Sequence, residues 1–264
     1  MLTLKDLRVV FNAGTPIQNV ALDGLALHVP AGQFVTVIGS NGAGKSTLLN
    51  AISGEVTLDE GSIQIDGMEM AGLSAWRRAG HVARVFQDPL AGTCEDLSIE
   101  ENLALADARG QRRGLGRAVR RERREEYREQ LRLLDLGLED RLEDPIGLLS
   151  GGQRQSVSLL MAALRPSRIL LLDEHTAALD PRTADYVLAL TRKLVKDKGL
   201  TTLMVTHSMR QALEIGDRLV MLHRGKVALD VAEPANKGLG VPDLLEMFQR
   251  VRAEAISDDA LLLD

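Results

Sequence analysis

The chain has 264 residues, a mass of 28.7 kDa, a formal net charge of −5 and a pI near 5.6. With 45% hydrophobic and 26% charged residues it can bury a core as one large domain or two small ones, which excludes disorder as its main state. The acidic balance and an aromatic content of only 3% exclude a general binder of nucleic acid or anionic lipid and a base-stacking platform.

Met1–Val10 alternates charged and apolar residues and lacks the apolar stretch of a signal peptide. Leu2–Val10, Leu25–Val29 and Ser62–Asp66 alternate apolar and polar positions, as half-buried antiparallel strands do. Between them, Pro30-Ala31-Gly32 forms a turn and Phe34–Ile38 is a short apolar run, the pattern of a buried parallel strand. A glycine-rich segment follows, then a helix over Thr47–Ser53. From Leu73 to Leu148 the texture changes. Ser98-Ile99-Glu100-Glu101 is a capping box opening an amphipathic helix. Nine arginines mixed with glutamates lie between Arg109 and Arg128, either a solvated face laced with i,i+4 ion pairs or a docking patch for an anionic surface.

From Ser150 the α/β texture returns. Val157, Leu160, Met161 and Leu164 mark one buried helix face that Pro166 ends. Ile169–Leu172 and Thr202–Val205 are apolar strands, and Asp180-Pro181 and Ser208-Met209-Arg210-Gln211 are helix starts, the second a capping box. Leu219–Leu222 and Val227–Leu229 flank Arg224-Gly225 as a hairpin, and a short amphipathic helix with an acidic end follows Gly238. Cys94 is the single cysteine, which points to a reducing compartment. No run approaches the roughly 18 apolar residues that cross a bilayer, so the expectation is a soluble chain or one attached through a partner.

Gly39-Ser40-Asn41-Gly42-Ala43-Gly44-Lys45-Ser46 fits the phosphate-loop pattern, with a strand before it and a helix beginning at Thr47 after it. Glycines let the backbone approach a phosphate, successive N–H groups point at it, and the helix dipole favours its charge. Lys45 supplies a point charge for the β- and γ-phosphates, and the Ser46 hydroxyl is the expected Mg²⁺ ligand. Ile169–Leu172 ends in Asp173-Glu174, the Walker B pattern. Asp173 is expected to hold Mg²⁺ through its water shell, and Glu174 to polarise the attacking water. A guanine-reading motif is missing: Asn236-Lys237 is followed by Gly238-Leu239.

Leu149-Ser150-Gly151-Gly152-Gln153-Arg154-Gln155 precedes that strand, and with it the chain resembles the nucleotide-binding subunits of ABC transporters. The resemblance covers nearly the whole chain, in the family's order of motifs. It implies an α/β fold: a P-loop NTPase ABC cassette with a RecA-like core, an N-terminal antiparallel β subdomain and an inserted helical subdomain at about 90–160. The cassette occupies 1–240 and a C-terminal helical tail 241–264. The implied activity is hydrolysis of ATP to ADP and phosphate with Mg²⁺, and Glu174, His207 and Lys45 are the implied catalytic residues. Phe11 matches the aromatic that stacks on adenine, Gln87 the glutamine that binds Mg²⁺ or the lytic water, and His207 the switch histidine on the γ-phosphate. Gly39 through Thr47 hold ATP. Ser150, Gly151, Gly152, Gln153 and Asp180, the last in the D-loop Ala177-Ala178-Leu179-Asp180, act on the ATP of a second copy in a head-to-tail dimer.

The implied partners are that second copy, integral membrane permease subunits and, indirectly, a substrate-binding protein, with no nucleic acid. The implied location is the cytoplasmic face of the cell membrane. The segment after Gln87, with Leu90, Cys94 and Leu97, lies where the permease's coupling helix docks. The chain departs from the family at His175, where proline is usual, and at Ala177, where serine is common. His175 is expected to be a tolerated substitution or to touch the partner's D-loop. A lone cassette resembles ATPases of bacterial uptake systems. Asp173-Glu174-His175-Thr176, Gly92-Thr93 and the 100–106 helix resemble a subgroup serving amino-acid-type substrates, tryptophan or tyrosine among them. An exporter ATPase or a non-transporting membrane complex stays open as the alternative.

Overall fold

The alternating segments near the N-terminus pair as strands in the computed structural model, which describes residues 1–111, 114, 116, 118–232 and 238–261, with 252–261 as helix backbone only. In chain order the elements are β1 (Leu2–Phe11), β2 (Asn19–Val29), β3 (Phe34–Gly39), α1 (Lys45–Ser53), β4 (Glu60–Ile65), β5 (Met68–Glu69), α2 (Ala75–Arg78) and β6 (Val82–Val85). They continue with α3 (Ile99–Asp107), α4 (Arg124–Arg132), α5 (Gly151–Leu164), β7 (Ile169–Asp173), α6 (Pro181–Lys198), β8 (Thr201–Val205), α7 (Met209–Ile215), β9 (Arg218–His223), β10 (Lys226–Ala232) and α8 (Val241–Leu261).

Two sheets result. One is four-stranded and antiparallel, ordered β2-β1-β4-β5; the other is six-stranded, ordered β10-β9-β3-β8-β7-β6. The apolar runs occupy the centre of the second sheet because both of its faces are covered. Along β7, Ile169 and Leu171 point into the core shared with the antiparallel sheet and α1, while Leu170 and Leu172 point into the core shared with α5, α6 and the helical segment. Strand alternation thus serves two cores at once, and no polar position remains to reveal it.

Several boundaries differ from expectation. β9, expected only as one arm of a hairpin, pairs parallel with β3 as well as antiparallel with β10. β6 was not expected at all: Arg84 interrupts its apolar pattern, yet it pairs parallel with β7. The tail helix α8 is 21 residues long rather than short, and Leu244, Phe248 and Val251 hold it against Met209, Ala212 and Leu213 of α7.

The helical segment packs Leu103 of α3, Tyr127 and Leu131 of α4, and Val157 and Leu160 of α5 into one core. Ser98 caps α3 with Glu101 in the reciprocal box that its spacing implied. Within the arginine-rich stretch, Arg112, Arg113 and Arg117 lie outside the described residues, as do Asn236 and Lys237. Among the described ones, Arg123 meets Asp107 and Glu126, Arg124 meets Glu100 and Glu143, and Arg128 meets Glu125. The solvated, ion-paired face is therefore what these residues form. Several pairs tie one helix to another segment rather than following i,i+4 spacing.

Candidate functional site

β3 ends at Gly39 and α1 begins at Lys45, with the glycine-rich loop between them. Gly44 is the N-cap at φ 98°, and a Cβ there would lie 2.5 Å from the Ala21 carbonyl oxygen. Only glycine satisfies both conditions. The β9–β10 hairpin buttresses the loop, since the Gly225 amide donates to the Ala43 carbonyl at 3.1 Å. Its turn residues Arg224 and Gly225 both have positive φ, at 46° and 75°, the geometry of a tight hairpin turn.

α1, like α2 and α4, has no side-chain cap, and it carries no acid in its first turn. Its leading N–H groups and the positive end of its dipole are therefore directed at the loop's concavity, an arrangement suited to a phosphate. Lys45 is buried, and its Nζ donates to the Gly39 and Ser40 carbonyls at 2.9 and 3.0 Å. Burial pulls its pKa below the ordinary lysine value, while the charges of Glu174 and Asp173 oppose that shift. Those carboxylates thus face the lysine across the site.

Glu174 follows the end of β7 in the left-handed region at φ 46°, an uncommon conformation for a non-glycine residue. Its amide donates to the Val205 carbonyl at 3.0 Å, which fastens it to the end of β8. His207, two residues past that strand, places Nε2 2.6 Å from Glu174 Oε1. Asp173 is engaged by a residue that no motif had singled out: Arg84 Nη2 lies 2.7 Å from its Oδ2. A lone charge in an apolar strand just before Gln87 was the signal available.

A second cluster forms around α5. The Ser150 hydroxyl accepts from the Gln153 amide at 3.3 Å, and Gln153 Oε1 accepts from the Ser150 amide at 3.1 Å. The Ser150 N–H is thus occupied. The hydroxyl, accepting one bond, keeps its hydrogen to donate. Gly152 allows close packing on α6: a Cβ there would sit 2.2 Å from Thr183 Cγ2. Asp180 caps α6 by accepting from the Thr183 amide, and hydrogen bonding from the Thr183 side chain first and its amide second holds the carboxyl below the ordinary range. Signature and D-loop therefore share one surface. The Ala177 amide of the D-loop donates to the Glu174 carbonyl at 2.9 Å, whereas among the described residues no hydrogen bond or ion pair joins Ser150, Gly151, Gly152, Gln153 or Asp180 to Lys45, Asp173 or Glu174.

Phe11 is 39% exposed at the end of β1, and Gln87 is exposed beyond β6 with no bond to the other site residues. His175 does not face a partner. It is 2% exposed, and Nε2 lies 2.9 Å from the Thr191 hydroxyl oxygen. That hydroxyl donates to the Val187 carbonyl, so His175 is the donor and carries its proton on Nε2. Desolvation lowers its pKa to about 4. The capping box expected at Ser208 forms only by half: Ser208 accepts from the Gln211 amide, but Gln211 Oε1 accepts instead from the Thr206 and Thr176 hydroxyls at 3.2 and 3.3 Å.

A cleft of about 890 Å³ opens between α2 and the helical segment, lined by Trp76, Arg84, Cys94, Leu105 and Met161 among others. Cys94 lines this cleft, and Leu90 and Leu97 are not among its lining residues. The loop beside it is laced to the strand of chain preceding the signature. Ile146 and Gly147 donate to the Leu97 and Glu95 carbonyls at 2.9 and 3.1 Å, and Ile99 and Glu100 donate to the Asp144 and Leu142 carbonyls at 3.0 and 2.9 Å. Arg154 of α5 then bonds the Gly147 carbonyl at 2.7 Å.

An uncapped phosphate loop, a hydrogen-bonded Glu–His pair and a second helix start on an αβ core with a helical insertion define an ATP-hydrolysing cassette. The chain matches the family described as ABC transporter over residues 22–177 and belongs to it. It is 44% identical to the tyrosine transport ATP-binding protein of Clostridioides difficile, over 94% of this chain and 99% of that one. It is 33% identical to the aliphatic sulfonates import ATP-binding protein SsuB of Escherichia coli, over 95% and 96% of the two chains. The solved dimer of the cassette MJ0796 bound to ADP and Pi superposes with a TM-score of 0.75 at 30% identity, over 88% of this chain and 98% of that one. The chain is the ATP-binding, ATP-hydrolysing subunit of a transporter, driving transport through a separate permease. Among the described residues, no helix is long and apolar enough to cross a membrane.

Proposed function

We propose that this subunit powers import of an amino-acid-type small molecule, working from the cytoplasmic face of the membrane as two copies paired head to tail. The observation that carries the substrate class is the 44% identity, over nearly both full lengths, to a tyrosine transport protein. The sulfonate import relatives, at lower identity, support import as the direction.

In this mechanism the residues of 39–47 cradle the phosphates of ATP with backbone N–H groups, and Lys45 leaves its two loop carbonyls to neutralise the β- and γ-phosphates. Phe11 stacks on the base. Ser150, Gly151, Gly152 and Gln153 present the helix start of α5 to the nucleotide of the other copy, with the Ser150 hydroxyl as donor, and Asp180 lies at the same interface. Closure thus requires both copies. Glu174 accepts the proton of the attacking water, and His207, already bonded to Glu174, orients it and reaches the γ-phosphate.

The donors around the loop are hard oxygens: the Ser46 hydroxyl, one Asp173 carboxylate oxygen through water, and the Gln87 carbonyl. That set suits Mg²⁺. Such an ion, when bound, offsets charge on the β- and γ-phosphates. The 1–240 cassette and the 241–264 tail are taken as the working units, with 90–160 as the inserted subdomain that meets the permease.

Tagged chain extracted gently from native membranes is expected to bring down an integral membrane protein in near-equal amount, and deletion of its gene is expected to abolish uptake of an aromatic amino acid. Recovery only from the soluble fraction, as an ATP-dependent dimer, would overturn the transport assignment.

A further inference from the structure

Arg84 stands where the sheet register makes it a neighbour of the Walker B acid. It pairs with Leu171 in the parallel β6–β7 ladder, so its side chain shares a face with Asp173, two residues further along β7. Its guanidinium joins three acceptors. Nη2 meets Asp173 Oδ2 at 2.7 Å, while Nη1 donates to Asn50 Oδ1 at 2.6 Å and Glu55 Oε2 at 3.0 Å. The guanidinium carbon also lies 4.7 Å from the centre of the Phe86 ring. Both ends of the Arg84–Asp173 pair are largely shielded, with side chains 10% and 14% exposed. A charge at that depth needs its partner, and the planar fork with a stacked ring is a task for arginine rather than lysine. The same residue also lines the cleft beside Trp76 and Cys94.

We propose that Arg84 is a positioning residue for the metal site: it holds Asp173 by Oδ2 and leaves Oδ1 turned towards the cation's water shell. By tying Asp173 to Asn50 of α1 and to Glu55 just beyond it, Arg84 fixes the acid relative to the helix that starts with Lys45 and Ser46. The inference rests on the assignment of Asp173 as the acid that serves Mg²⁺.

The test separates metal retention from nucleotide binding and from turnover. Binding of a fluorescent ATP analogue is measured in chelator, and Mn²⁺ affinity of the ATP-loaded chain by electron paramagnetic resonance. R84Q is expected to keep its metal-free nucleotide affinity and to lose about tenfold or more in Mn²⁺ affinity, the usual effect of removing a group that orients a metal-serving ligand. R84K, which restores charge without the fork, is expected to lie between. Unchanged Mn²⁺ affinity would overturn the proposal. Tighter binding would also overturn it, by making Arg84 a competing cation. If R84Q does not fold, R84K is judged on the same scale, and wild-type Mn²⁺ affinity from R84K decides against the proposal. Failure of wild type to bind the analogue at all would strike the nucleotide assignment instead, and D173N without effect on Mn²⁺ would strike the role of Asp173.

Discussion

His207 Nε2 and Glu174 Oε1 are 2.6 Å apart, and Glu174 holds the left-handed conformation at the end of β7. E174Q is expected to lower kcat by about 10²–10⁴-fold while ATP binding persists, and H207A to fall in the same range. Because the two act as one unit, the double variant should lose little beyond the worse single one. Steady-state ATPase assays with the four proteins check this, and additive losses would show that the pair does not operate jointly.

Gln211 braces that pair from outside. Its Oε1 binds Thr176, two residues after Glu174, and Thr206, one before His207. Q211A removes the shared acceptor, with an expected cost of about 1 kcal/mol in stability. Its kcat is expected to fall more than its KM rises, and Q211E should restore much of the loss because a carboxylate accepts from both hydroxyls. A KM effect alone would argue against the brace.

Gly152 is limited by space as well as by the motif. G152A places a methyl group against Thr183 Cγ2, and overpacking of this kind costs about 1–3 kcal/mol. T183S removes that carbon, so G152A/T183S should melt close to wild type while G152A melts lower. Calorimetry on the single and double variants measures this, and equal melting of both would exclude the clash as the cause.

His175 gives the fold a pH dependence of its own. Its folded pKa is about 4 against an ordinary value of 6.5. Between those values the unfolded chain takes up a proton that the folded chain refuses, so stability is full above about pH 7 and declines as pH falls towards 4. The full difference amounts to roughly 3 kcal/mol. Asp180, held below the ordinary carboxylate range, contributes stability that is present throughout this window and is lost only at lower pH. Denaturant titrations from pH 7.5 to 4.5 should therefore show a slope that H175Q removes; a slope unchanged in H175Q would refute this.

The local devices were legible from single segments. Ser98 with Glu101 and Ser150 with Gln153 announce helix starts through a three-residue spacing that depends on nothing distant. What depended on distant chain was hidden. Ser208 and Gln211 have the same spacing, yet Gln211 turns to Thr176, which lies on a different loop. Arg84 concealed β6 because a charge in a four-residue strand makes sense only once Asp173 is its neighbour. His175 could be read from the sequence as a tolerated substitution or as a contact with another copy; its burial beside Thr191 of α6 is a tertiary fact that periodicity alone does not specify. The phosphate loop, Asp173-Glu174 and His207 were recognisable by order along the chain, whereas the 2.6 Å contact between Glu174 and His207 required the β7–β8 pairing.

The four backbone bonds that lace residues 95–100 to residues 142–147 have a mechanical consequence. Hydrogen bonds of this kind cannot stretch by an ångström without breaking, so the two segments move as one piece. Arg154 clamps the far end of that piece to α5, whose first residues carry the signature. A displacement imposed at Cys94 is then delivered at Ser150 with almost no play.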